Sequence, residues 1–154
     1  MKPEPLPAQD TDLAASIVGV WGLTRREDYD EQGTRLIDPH LGADPLGMLC
    51  FSNDYFSAQF SKRDRSESSD AVAVQTANNS SAVGGYDAYF GRYWIDETGE
   101  AIVVHLEGSI TSANSGQEFT RATRASEDQL LIRLDTFTDD GTAITRTLTF
   151  ERLP

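Results

Sequence analysis

At 154 residues the chain has the size of one domain, long enough to bury a core without disulfide or metal staples. Its 13 basic residues against 25 acidic ones give a formal net charge of -12, which removes the phosphate neutralisation on which nucleic-acid and anionic-membrane binding depend. Cys50 is the single cysteine, which excludes an internal disulfide and a cysteine-rich zinc site and makes the cytoplasm the expected location.

The first stretch, "MKPEPLPAQDTDLAAS", has prolines and acids where a signal peptide needs a continuous apolar core. No apolar run reaches membrane-spanning length. Residues 1–15 read as a flexible lead and 16–154 as the domain, with "TDLAASIV" forming a turn of helix capped by Thr11. Alternating segments follow at 17–29, 47–52, 55–61, 87–96, 101–111, 117–125, 129–137 and 142–152. The breaks between them, such as "EQGT", "DETGE" and "DDGT", are rich in Gly, Asp, Asn and Ser and are mostly short enough for hairpins, which makes sequential strands antiparallel neighbours. The polar insertion at 62–86 is too long for a hairpin and reads as one weak helix or a mobile flap over the mouth of the fold. About eight meandering strands in one domain predict an all-β fold, a closed antiparallel up-and-down barrel whose closure removes exposed edges; a two-sheet sandwich is the alternative.

"GVWGL" at Gly19–Leu23 carries a Gly-x-Trp start. Together with "VGVWGLTRREDYDEQGT", "DPLGMLCFSNDYFSAQFSKRDR", "YFGRYWIDETGEAIVVHLEGS" and "FTRATR", in that order, it resembles the bacterial and fungal lipocalin-like domain family over roughly residues 17–152. The resemblance implies a small calycin-type barrel with an internal pocket, in a family some of whose members sit in natural-product pathways. It also implies that Trp21 plugs the closed end under an arginine from the last strand, for which Arg152 is the nearest candidate. The chain departs from the family pattern at "ITSANSG", where a proline and an aromatic usually follow the His-x-Glu strand.

The site candidates depend on which strand face points inward. In 101–110, Ile102, Val104, Leu106 and Ile110 form an apolar set, while His105 and Glu107 share the opposite, mixed face with Val103 and Ser109. Either the apolar set lines the interior, or His105 and Glu107 enter it as a hydrogen-bonded pair. In the second case the 111–117 hairpin would bring position 107 near Arg121. Arg146 shares a face with Ile144, Leu148 and Phe150, Arg121 shares one with Phe119, and Arg92 lies with Phe90 and Trp94. Apolar faces with one embedded polar group suit a cavity that orients a polar ligand. An arginine inside it calls for a carboxylate, phenolate or enolate, or for Glu107 as partner. Tyr55, Ser57, Gln59, Tyr89 and Tyr93 are further candidates to contact the ligand. His40 reads as a loop residue and Cys50 as a small buried apolar one. No metal set, phosphate loop or nucleophile elbow is present, and no cofactor is expected.

Two functions fit. One is a monomeric or homodimeric binding protein that holds a small, largely apolar ligand by an anionic or polar handle. The other is a cofactor-independent isomerase or cyclase in natural-product biosynthesis, with His105 as general acid and base and Glu107 or Arg121 orienting it or stabilising developing negative charge.

Overall fold

The computed structural model describes residues 4–9, 11–66 and 82–154. Chain order begins with a one-turn helix α1 (Leu13–Ile17), whose cap is Asp12 and not Thr11. The Asp12 carboxylate accepts from the Ala14 amide at 3.2 Å, while the Thr11 hydroxyl is engaged with Ser16 Oγ at 2.7 Å. A carboxylate at the cap also interacts favourably with the exposed amides of the first turn.

The strands are β1 (Gly19–Asp30), a short β2 (Arg35–Leu36), β3 (Leu46–Phe51), β4 (Tyr55–Ser61), β5 (Tyr86–Ile95), β6 (Ala101–Ser109), β7 (Glu118–Ala125), β8 (Gln129–Phe137) and β9 (Ala143–Arg152). A single 3₁₀ turn, Ser112–Asn114, lies between β6 and β7. Consecutive strands from β3 to β9 pair antiparallel, and β1 pairs with both β3 and β9, so eight strands close into a barrel with β2 as an extra strand on β1. Turn chemistry sets the hairpins: in "DETGE", Gly99 takes φ +74° and its amide donates to the Asp96 carbonyl at 3.0 Å. The ends of the 62–86 insertion meet where the Lys62 amide donates to the Gly85 carbonyl at 2.7 Å. Residues 67–81, and with them the expected helix or flap, lie outside the described residues.

Alternation along each strand decides what is inside. Phe56, Phe60, Ile102, Leu106, Leu130 and Phe150 are buried. One end is sealed by α1 and Trp21, which is fully buried and donates from Nε1 to the Ile17 carbonyl at 2.8 Å. Arg152 covers the indole, its guanidinium carbon 4.1 Å from the ring centroid, and donates to the carbonyls of Ser16, Val18, Ser126 and Glu127. Gly19 makes room for this arginine: with φ +142°, a Cβ there would lie 2.5 Å from Arg152 Nη1. At the opposite end stand the 37–45 loop, the turn between β8 and β9, and the ends of the 62–86 insertion.

Cys50 faces outward, because Leu49 and Phe51 are the buried residues flanking it, and it is only half-buried. Among the described residues no helix is long and apolar enough to cross a membrane.

Candidate functional site

Between the Trp21 plug and the open end lies a cavity inside the barrel. Its walls are mainly apolar, with Phe56, Phe60, Ile102, Val104, Ile132 and Leu148 among them, and five polar side chains break them: Arg26, Asp87, Tyr89, Arg121 and Arg146. A few converging polar groups in an apolar wall are the ordinary composition of a small-molecule site.

Four charges at the mouth satisfy one another. Arg146 grips Asp28 with two bonds, Nε to Oδ1 at 2.8 Å and Nη2 to Oδ2 at 3.1 Å. Arg26 Nη2 lies 2.9 Å from Asp38, off the line of a good hydrogen bond, and Arg26 Nη1 lies 4.0 Å from Asp28. All four side chains are at most 7% exposed. Burial and then Arg146 pull the Arg26 guanidinium below its usual value, against Asp38 and Asp28. Burial pushes Asp38 up, but Arg26, the His40 amide and Arg146 bring it below the usual carboxylate range. Two cations thus face two anions, a net charge of zero inside the barrel.

Arg121 and Asp87 stand outside this balance. The Arg121 guanidinium lies 4.8 Å from the Phe119 ring centroid, donates from Nη1 to the neighbouring Thr120 carbonyl at 3.3 Å, and keeps Nη2 buried with no partner among the described residues. Burial pulls its pKa down; Tyr89 acts the other way and Arg146 adds to the fall. Asp87 is 1% exposed, and its Oδ1 has no hydrogen-bond partner among the described residues. Burial pushes its carboxyl up to about 8, against the pull of Arg26, the Ala88 amide and Arg146. At neutral pH Asp87 therefore holds its proton, and the cavity's uncompensated charge is the cation of Arg121.

Residues 18–153 match the model of the lipocalin-like domain. The chain belongs to that family. A search of curated proteins finds no match. The lipocalin-like barrel is in general a ligand-binding fold, and this cavity occupies its interior.

Arg121, Arg146 and Tyr89 line the cavity of this lipocalin-like barrel. The other sequence candidates lie elsewhere. Tyr93 faces inward but packs edge-on to Phe51, 5.0 Å between centroids, and donates to the Ser52 carbonyl, so it fills the core away from the cavity lining. Tyr55, Ser57 and Gln59 are on the outer face of β4, where Phe56, Ala58 and Phe60 take the inner positions. Tyr55 accepts from Arg92 at 3.1 Å, and Gln59 from the Tyr86 hydroxyl at 2.6 Å.

His105 and Glu107 are also outside, as a matter of register. Ile102, Val104 and Leu106 are the buried set of β6. His105 sits 3.3 Å from Glu118, and Glu107 sits 3.7 Å from Arg92. A symmetric 111–117 hairpin would set 107 opposite 121, but Arg121 pairs with Ile102 and His105 with Glu118. The reason is the connection. Leu106 and the 116–117 backbone close the β6–β7 ladder, while Gly108 and Ser109 continue along β5 and the chain loops through the 3₁₀ turn. The resulting offset of five positions is odd, and an odd offset exchanges the faces. Arg121 therefore enters the barrel without Glu107. His40 is a loop residue as expected, and its Nε2 lies 2.5 Å from Asp139 across the mouth.

Arg26, Asp28, Asp38 and Asp87 escape a sequence reading for different reasons. Strict alternation from Trp21 and Leu23 would bury Arg25, Glu27 and Tyr29. A bulge between Leu23 and Arg25 inserts one residue and turns Arg26 and Asp28 inward instead. Asp38 arrives on a loop. Asp87 shares the Tyr89 face of β5, the one signal that was available. Among the described residues no group of three or more His, Cys, Asp or Glu is placed to hold a metal ion.

The raised Asp87 pKa has a measurable sign. Unfolded, the carboxyl titrates near 4 (about 3.9); folded, it does so at about 8. Between those values the unfolded chain has lost a proton that the folded one keeps, so this group makes stability fall as pH rises, and the loss levels off above the folded pKa. Asp87→Asn removes this pH dependence. In urea melts its stability relative to wild type should grow by about 2 kcal/mol or more between pH 5 and pH 8. A difference independent of pH would show that Asp87 is ionised in the folded protein.

Proposed function

We propose that this protein binds a small, largely apolar molecule through an anionic group, with Arg121 as the anchor in the barrel cavity. The observation that carries the reading is the buried Nη2 of Arg121, which has no partner among the described residues, in an apolar cavity where the other two guanidiniums are already paired with carboxylates. A buried cation without an anion is costly, and a carboxylate, phenolate or enolate supplied by a ligand removes that cost. The apolar walls hold the hydrocarbon body. A reducing compartment such as the cytoplasm suits the lone Cys50. An isomerase or cyclase working through His105 gains no support from a histidine on the outer wall.

Calorimetric titration with 2-naphthoate and its neutral isostere 2-naphthamide tests the anchor. The wild-type protein should prefer the anion by about tenfold or more, the range of a charge-assisted bond, and Arg121→Gln should bring the two to near parity. Equal affinity of the wild type for both, or an undiminished preference in the variant, would refute the reading.

A further inference from the structure

We infer that the ligand of this cavity carries, besides its anion, a second and neutral oxygen at the far end of its apolar body, a hydroxyl or carbonyl that Asp87 receives. The inference rests on the anion-binding reading above and specifies the class of molecule: a bifunctional aromatic or polycyclic acid. Asp87 Oδ1 lines the cavity on a residue that is 1% exposed and, like Nη2 of Arg121 and of the ion-paired Arg26, has no hydrogen-bond partner among the described residues. Buried polar atoms are nearly always satisfied, so one aimed into a cavity marks a place where something polar binds.

The fold separates the two groups. Arg121 is on β7 and Asp87 on β5, with β6 between them. The register separates them along the barrel as well: Arg121 pairs with Ile102 near the start of β6, whereas Tyr89 pairs with Ser109 at its end and Asp87 lies two positions beyond. Tyr89, two positions along the same face of β5 from Asp87, stands on the Arg121 side, since it interacts electrostatically with that arginine. Phe56, Phe60, Ile102 and Val104 are among the apolar walls of the same cavity. A flat two-ring body with oxygens at opposite ends suits two polar groups placed at different levels of one apolar cavity.

The charges that face Asp87 are Arg26 from β1, Arg146 from β9 and Asp38 from the 37–45 loop. The first two are held by Asp28 and Asp38, which leaves Asp87 to keep its proton at neutral pH. A neutral carboxyl both donates and accepts, so it takes either a carbonyl or a hydroxyl. An ionised one would repel the ligand's anion as well.

The test compares 2-naphthoate with 6-hydroxy-2-naphthoate at pH 6.5 by calorimetry on wild type, Asp87→Ala and Asp87→Asn. The hydroxyl should improve wild-type affinity about tenfold, as one neutral hydrogen bond does. Asp87→Ala should abolish that gain, and Asp87→Asn, which keeps the shape and both hydrogen-bonding roles, should retain most of it. A gain below about twofold in wild type, or one undiminished in Asp87→Ala, would overturn the inference while 2-naphthoate still bound. Failure of wild type to bind 2-naphthoate at all would overturn the anion-binding reading, and this inference with it.

Discussion

Trp21→Ala will destabilise the protein by about 3–5 kcal/mol, the usual cost of deleting a large buried aromatic. The indole is fully buried, bonded to the Ile17 carbonyl and covered by Arg152. Its removal opens a void that α1 and the barrel wall, both tied down by the Arg152 hydrogen bonds, do not collapse to fill. It also takes away the ring beneath a guanidinium that the carbonyls of Ser16, Val18, Ser126 and Glu127 and the open space at Gly19 are arranged to hold. Trp21→Phe, which keeps most of the volume, should cost less than the alanine variant. Denaturant melts measure both, and a loss below about 1 kcal/mol for Trp21→Ala would show that the plug does not carry the closed end.

Arg146→Met will cost a similar amount, about 3–5 kcal/mol, for an electrostatic reason. The methionine fills the volume, but Asp28 loses both of its short bonds, and Arg26 alone then faces two buried carboxylates. Arg146→Lys should rescue little, because an ammonium cannot make the two-pronged contact. The double variant Asp28→Asn/Arg146→Met should be more stable than Arg146→Met, since it removes the stranded charge. If the single variant is as stable as wild type, the four-residue network does not hold the mouth.

The fold was legible because its signals are local. Alternation and turn glycines marked all eight barrel strands to within a few residues, and the Gly-x-Trp start led to the plug and its arginine. The site was less legible because it depends on parity. One inserted residue at Thr24 decides that Arg26 and Asp28 face inward, and an odd offset in the β6–β7 connection decides that Arg121 does so while Glu107 does not. Neither is written in the alternation of a single strand. The apolar set Ile102, Val104 and Leu106 marked the inner face of β6, and the face of β9 that carries Ile144, Arg146, Leu148 and Phe150 is the buried one, with the arginine inside. His105 stood out as a titratable residue of useful pKa, but residue type does not fix direction.

Recognition of an anion at Arg121, and not at His105, is the core of the proposed function. The most direct measurement is a titration of isotopically labelled protein with 2-naphthoate, following by NMR the Nε–Hε signal of Arg121 and the ring signals of His105. Anion binding at Arg121 gives a saturable shift at Arg121 and none at His105, with the Arg121 shift absent when 2-naphthamide is used. Saturable shifts at His105 with Arg121 unmoved would place the ligand on the outer wall and contradict it.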